Sequence, residues 1–315
     1  MRRWFLIGGG LLLLLVLAGL GALGWAVQHA QRADLGWRPA LAAPSFRADG
    51  PRVLIDEGHH NASTAGLGGR YFPFAKLLRA DGFRVARGKG AFTAETLAGV
   101  DVLVIANASG AGKPQFMGIN LPGAGDGDRG APAFTAAEIA ALRAWVEQGG
   151  GLLLVADHAP FGAAAAALGE AFGVTMHAGF TEIPDEVSDP LIFSRENGRL
   201  GEHAILAGGV GGKAIERVAT YTGQSLDGPL EAIVLLRLPA SAVDYVPAEP
   251  EFIEKPAGGA QGLAMAVGTG RVVVLGEAAM LTAQVYRGEY FGLNAPGHDN
   301  QQFALNILHW LSGGL

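Results

Sequence analysis

Gly151-Leu-Leu-Leu-Val-Ala-Asp157-His158-Ala-Pro-Phe-Gly162 reads as a strand that discharges into a polar turn. The apolar run has strand length, is set off by Gly149 and Gly150, and stops abruptly at an acid and a histidine. A strand buried on both faces of a parallel sheet has this form, because no face needs polar residues along it. Upstream, Thr135-Ala-Ala-Glu138 has the spacing of a capping box. Ile139, Leu142 and Val146, with Trp145 beside them, mark one helical face that stops at Gly149. Helix, glycine, buried strand and polar turn make half of an α/β unit. Ligands of open parallel sheets bind beyond the strand carboxyl ends, so Asp157 and His158 are expected where chemistry is done.

The same grammar recurs three times. Val53-Leu-Ile55 runs into Asp56-Glu57-Gly58-His59-His60-Asn61, Val102 to Ala106 runs into Asn107, and Val272 to Leu275 runs into Gly276-Glu277. If these strands are parallel neighbours, their polar ends converge on one rim. Helices are expected from about Phe74 to Arg79, briefly from Thr93, and from Pro160 to Phe172. Short strands are expected at Phe83 to Val85 and Gly173 to His177, with further strands at Ile215 to Ala219 and Ile233 to Leu238. The alternation predicts an α/β domain with a doubly wound, mostly parallel sheet of flavodoxin-like kind. Leu263 to Val267 and Arg271 to Leu275 flank Gly268-Thr-Gly270 as an antiparallel hairpin near the C-terminus, and Asn300 to Leu311 is an amphipathic helix. The Gly, Pro and Asp-rich stretch between Asn107 and Phe134 is either a lid or a variable insertion, and Ala178 to Gly201 reads as irregular.

The chain has 315 residues, 50% of them hydrophobic, and a formal net charge of -6, which provides one large core and no basic excess for nucleic acid. The absence of cysteine removes disulfides, thiolate metal sites and a cysteine nucleophile. Met1-Arg2-Arg3 precedes an uncharged run from Trp4 to Val27, long enough for the roughly 20 residues a membrane crossing needs. Residues 1–28 are therefore expected to be a transmembrane anchor or signal segment, with an uncleaved anchor preferred because no A-x-A site follows the apolar run. Arg2 and Arg3 favour a cytoplasmic start, which places a single-pass protein in the cell inner membrane with the bulk of the chain periplasmic. Residues 29–50 read as a linker and residues 51–315 as the α/β domain.

Phe134-Thr135 to Glu138, Trp145 to Val155, Gly270-Arg-Val-Val-Val-Leu-Gly276-Glu277 and Asn300 to Leu311 together resemble the class I glutamine amidotransferase-like domain. The likeness is to its non-amidotransferase branch: uncharacterised membrane-associated proteins related to gliding-motility ABC transporter auxiliary domains and intraflagellar-transport domains. The enzymes of that fold carry a cysteine nucleophile in the turn after the central strand. Here that turn is Ala156-Asp157-His158-Ala159-Pro160, so cysteine-dependent glutamine hydrolysis is excluded.

Asp157, His158, His59 and Asp56 are the candidate catalytic residues. Imidazoles beside carboxylates can act as an oriented base or hold a divalent metal, and the pattern names no other cofactor. Glu57, His60, Asn61, Asn107, Glu277, His298 and Asp299 are candidate binding residues at or near the same strand ends. Their alternative role is structural, with Asp157 and Asn300 as helix caps and His309 at the core edge. Gly223-Gln-Ser225-Leu-Asp227 does not complete a nucleophile elbow, Lys113 and Lys213 lack a phosphate-binding loop, and no dinucleotide fingerprint follows a strand. The expectation is a hydrolase of a small or envelope-derived substrate, or else a non-catalytic ligand- or partner-binding module at the membrane, beside a transporter or other membrane protein.

Overall fold

The computed structural model describes residues 30–47, 49–112, 115–116, 119–120, 127–184, 186, 190–208, 213–248 and 250–315. Strand β1 (Arg52–Asp56), helix α1 (Phe72–Ala80), β2 (Arg84–Gly88) and β3 (Val102–Ala106) open the domain. Helix α2 (Ala136–Glu147), β4 (Gly151–Val155) and α3 (Phe161–Glu170) form its centre. Strands β5 (Thr175–Met176), β6 (Leu226–Asp227), β7 (Ile233–Arg237), β8 (Ala260–Val267) and β9 (Gly270–Leu275) extend it, and α4 (Asn300–Leu311) closes it.

These nine strands form one sheet in the order β2-β1-β3-β4-β9-β8-β6-β5, with β7 also paired to β8. The four strands with polar ends, β1, β3, β4 and β9, are parallel and consecutive, with Gly151 of β4 in register with both Val102 and Arg271. β1 also pairs parallel with β2, whereas the pairings of β9 to β8, β8 to β6 and β7, and β6 to β5 are antiparallel. The sheet is thus mixed rather than mostly parallel. Gly268, at a positive φ of 60°, and Thr269 turn β8 straight into β9, and so short a connection can join only antiparallel neighbours.

β4 is buried along its whole length and alternates between two apolar clusters. Leu153 and Val155 join Phe74, Leu77, Phe303 and Ile307 of α1 and α4, whereas Leu152 and Leu154 join Leu142, Val146 and Leu168 of α2 and α3. Helices therefore cover both faces, which is why β4 carries no polar alternation. Pro73 sits in the first turn of α1, where its missing N–H costs nothing. Gly82 ends that helix at φ 96°, and a Cβ there would lie 2.1 Å from the Phe46 carbonyl.

Several expected elements differ. No helix forms after Thr93; its hydroxyl instead accepts the Thr96 N–H in a series of turns that runs to Gly99. Residues 178–201, expected to be irregular, contain strands Phe180–Glu182 and Leu191–Ser194. The first pairs with a hairpin, Val243–Ala248 and Glu251–Pro256, whose proline and charges hide the strand pattern. The described part of the linker is docked: Arg32–Ala33 pairs with Ala283–Tyr286, Gln301 exchanges two hydrogen bonds with Ala40, and Ser45 donates to Asp81 at 2.8 Å. No helix among the described residues is long and apolar enough to cross a membrane; the anchor expected over residues 1–28 lies outside them. Most of the lid-or-insertion stretch between residues 113 and 126 lies outside them as well.

Candidate functional site

A cavity of about 300 Å³ opens at the carboxyl ends of the parallel strands. β3 contributes Asn107 to its wall, β4 contributes Asp157 and His158, and the turn after β9 contributes Ala278 and Ala279. Arg70, from the loop entering α1, and Gln284, from the strand paired with the linker, add to its polar lining beside Tyr221, Tyr286 and Phe291. A larger cavity of about 580 Å³ lies at the opposite end of the strands, around Asp101, Trp145 and Arg271. Its charged groups are engaged: Asp101 accepts the Arg52 N–H at 2.6 Å, and Arg271 donates to the Trp310 carbonyl. The smaller cavity, where ionisable groups converge, is the candidate site.

His158 is held by two contacts. Its Nδ1–H donates to the Ala159 carbonyl at 2.8 Å, and its ring stacks on Phe180 at 4.4 Å between centroids. That hydrogen bond selects the tautomer with the proton on Nδ1 and leaves the Nε2 lone pair unspent. The Asp157 side chain accepts the His158 N–H at 2.9 Å, while the Asp157 N–H donates to the Asn107 side chain at 2.9 Å. Burial pushes the Asp157 carboxyl up, against the stabilising His158, Arg70 and Asn107. Asp157 does not cap α3, whose N-cap position is Pro160 and which has no side-chain cap.

Glu277 lies behind this wall, wholly buried, accepting the N–H groups of Ala279 at 2.6 Å and Met280 at 2.7 Å. Burial first, and the Asp157 charge second, push its carboxyl well above the ordinary range. Arg70 lines the cavity without a hydrogen bond or ion pair to any described residue, and burial lowers its pKa.

The other expected catalytic group forms a separate buried assembly. His59, 8% exposed, places Nδ1 at 2.9 Å from Asp56 Oδ2 and Nε2 at 2.9 Å from Glu138 Oε1. Asn61 donates to the same Asp56 oxygen at 3.0 Å, and Phe92 and Phe134 pack against the imidazole. The two carboxylates raise the His59 pKa although burial alone would lower it. Glu138 falls to about 2, held by His59, the Thr135 N–H and hydroxyl, and the Phe92 N–H despite its burial. With both ring nitrogens donating, His59 is an imidazolium clasp between β1 and the start of α2. It has no lone pair for base catalysis or for a metal.

The remaining expected site residues are dispersed. Glu57 pairs with Arg87 at 2.6 Å and His60 is exposed at φ 49°. Asp299 accepts from Lys213 at 2.8 Å and from two backbone N–H groups, and neither it nor His298 lines the cavity. Asn300 does not cap α4 but lies inside it, bonded to Ala219 at both amide ends. Among the described residues, no group of three or more His, Asp or Glu side chains is arranged to hold a metal. Ser225 is buried, donating to Asp244 and accepting the Gly258 N–H at 2.7 Å, which fits no nucleophile.

The sequence pattern alone assigns Arg70, Gln284 and Glu138 to no site. Arg70 follows Gly66, Gly68 and Gly69 in a loop leaving a strand carboxyl end, and that position was its available signal. Glu138 was legible only as a cap, since its second partner is 79 residues away.

No family model matches the chain, and no curated protein matches it in sequence. Among solved structures, a ThuA-like protein from Bacteroides uniformis aligns at 16% identity over 87% of this chain and 94% of its own, with a TM-score of 0.44. A GMP synthase protein from Thermoplasma acidophilum aligns at 10% identity over 84% and 94%, with a TM-score of 0.39. Neither superposition is close enough to carry an argument. The mmIFT52 N-terminal domain aligns at 16% identity over 82% of this chain and 97% of its own, with a TM-score of 0.55. At that identity the likeness concerns the fold alone.

Proposed function

We propose that this chain is a membrane-anchored, extracytoplasmic hydrolase of the non-amidotransferase branch of the class I glutamine amidotransferase-like fold, acting on a small, envelope-derived substrate. One observation carries the reading: His158 has its Nδ1 proton committed and its Nε2 lone pair unspent, on a cavity wall beside a carboxyl whose pKa is pushed up. A base with a free lone pair and an acid that holds its proton more tightly than usual are the two groups an acyl hydrolysis needs. His158 Nε2 takes the proton of an attacking water, whose oxygen forms the new bond to the acyl carbon. Asp157 in its protonated form gives its proton to the leaving oxygen or nitrogen as the acyl bond breaks. The proton on His158 then returns to Asp157 through solvent, and both groups are reset. The uncharged run from Trp4 to Val27, with Arg2 and Arg3 before it, supports the anchor and its orientation.

The test is turnover of p-nitrophenyl esters and anilides of short acids by the full chain in detergent. Replacing His158→Gln is expected to lower kcat/KM by about 10²- to 10⁴-fold, the usual contribution of a positioned base. Absence of turnover in the parent sinks the hydrolase. A catalytically silent binding module at the membrane then stands, a reading favoured by the structural roles of His59, Glu57, Glu277 and Asp299.

A further inference from the structure

The cavity wall contains two groups whose hydrogen-bonding capacity the described residues leave unused. Arg70 presents a guanidinium, a planar fork of donors suited to a carboxylate, with no hydrogen-bonded or ion-paired partner among the described residues. Its charge is felt first by Asp157 and then by a second guanidinium, Arg129, whose buried Nε lacks a partner among the described residues. Gln284 is 1% exposed, and its Oε1 is buried without a donor. The orientation of that amide is fixed by its neighbour. The Thr282 hydroxyl donates to the Ala279 carbonyl at 2.7 Å, so towards Gln284 it can only accept, and the Gln284 nitrogen meets it at 2.7 Å. The carbonyl oxygen of Gln284 is therefore the free end. A buried acceptor without a donor is costly alone, and one ligand that carries both a donor and a carboxylate suits the two groups.

We infer that the cavity binds a small monocarboxylate carrying a hydrogen-bond donor, its carboxylate on Arg70 and its donor on Gln284 Oε1. One guanidinium lines the cavity, which matches a ligand with a single negative charge. At about 300 Å³ the cavity suits a molecule the size of an acylated amino acid. This rests on the reading of the cavity as the site, and it names the class of substrate.

Three probes separate the two contacts. N-acetylalanine has both groups, 2-acetoxypropanoate replaces its N–H with oxygen, and N-acetylalanine amide loses the carboxylate. Calorimetric titration of the full chain in detergent is expected to give binding of N-acetylalanine, with each of the other two weaker by about tenfold or more. Arg70→Gln should weaken N-acetylalanine by about tenfold and leave the amide within about twofold. Gln284→Met, checked for folding by circular dichroism, should erase the preference for N-acetylalanine over its ester isostere. If that variant does not fold, the comparison of the three probes on the parent decides. Equal affinities for all three, no binding of any at millimolar concentration, or an unchanged affinity in Arg70→Gln overturns the assignment. His158→Gln separates this from the hydrolase reading. Ester turnover that depends on His158 without probe binding leaves the enzyme and removes the ligand class. Probe binding that depends on Arg70, with no turnover in any form, leaves the ligand and removes the enzyme.

Discussion

His59 illustrates how one residue type serves two ends at the same rim. His158 keeps a lone pair because, among the described residues, its ring makes one hydrogen bond and that is to a carbonyl, whereas His59 spends both nitrogens on carboxylates and becomes a cationic tie. The linkage has a definite sign. The folded-state pKa of His59 is raised, so its stabilisation is complete below the unfolded value near 6.5 and is lost as pH rises through the folded value. Glu138 is depressed to about 2, so its contribution is complete above the unfolded value of 4.5 and is lost as pH falls toward 2. The clasp is strongest between those limits, from about pH 4.5 to 6.5. His59→Gln is expected to cost roughly 3–5 kcal/mol in urea denaturation at pH 6, the penalty for leaving buried carboxylates without their cation. It should also flatten the pH dependence of stability above pH 6.5. A variant as stable as the parent at pH 6 would contradict the clasp.

Helix α2 carries the same tie at the level of an element. Thr135 and Glu138 form the capping box expected from their spacing, and Glu138 uses its other oxygen on His59 and the Phe92 N–H. The cap therefore anchors the helix start to the end of β1 as well as closing its own first turn. Thr135→Ala should cost about 1–2 kcal/mol, the upper half of the usual range for a lost N-cap. Its effect should be non-additive with His59→Gln, since both act on one carboxylate, and a double-mutant cycle measures the coupling. Additivity within error would mean the cap and the clasp are independent.

For the molecule as a whole, the strand order determines where chemistry can occur. Parallel β1, β3, β4 and β9 bring Asn107, Asp157, His158 and the turn after Glu277 to one end of the sheet, and the linker packs against that end through Arg32–Ala33 and Gln31. Gln31 of that segment is thus part of the cavity wall. A chain beginning at residue 43 loses Gln31, the Arg32–Ala33 strand and the bonds from Asp34 and Ala40. At about 1 kcal/mol net for each hydrogen bond, it is expected to be roughly 2–4 kcal/mol less stable than a chain beginning at residue 30. Equal melting temperatures would show that the linker contributes nothing.

Hydrophobic patterning is local, so the sequence alone determined what depends on it: the four buried strands with polar ends, helices α2 and α4, the β8–β9 hairpin and the α/β class. It also singled out Asp157, His158 and Asn107, because a strand that stops abruptly at polar residues marks a carboxyl end before any partner is known. Tertiary structure decided the rest. Whether a histidine is a base or a clasp depends on what faces its second nitrogen, and for His59 that is Glu138, far away in the chain. Glu277 became a buried support because the turn after β9 folds back over it, and Arg70 and Gln284 came to one cavity only when the loop before α1 met the strand Ala283–Tyr286. Such contacts arise from sheet order and loop closure, and nothing in the spacing of the residues records them.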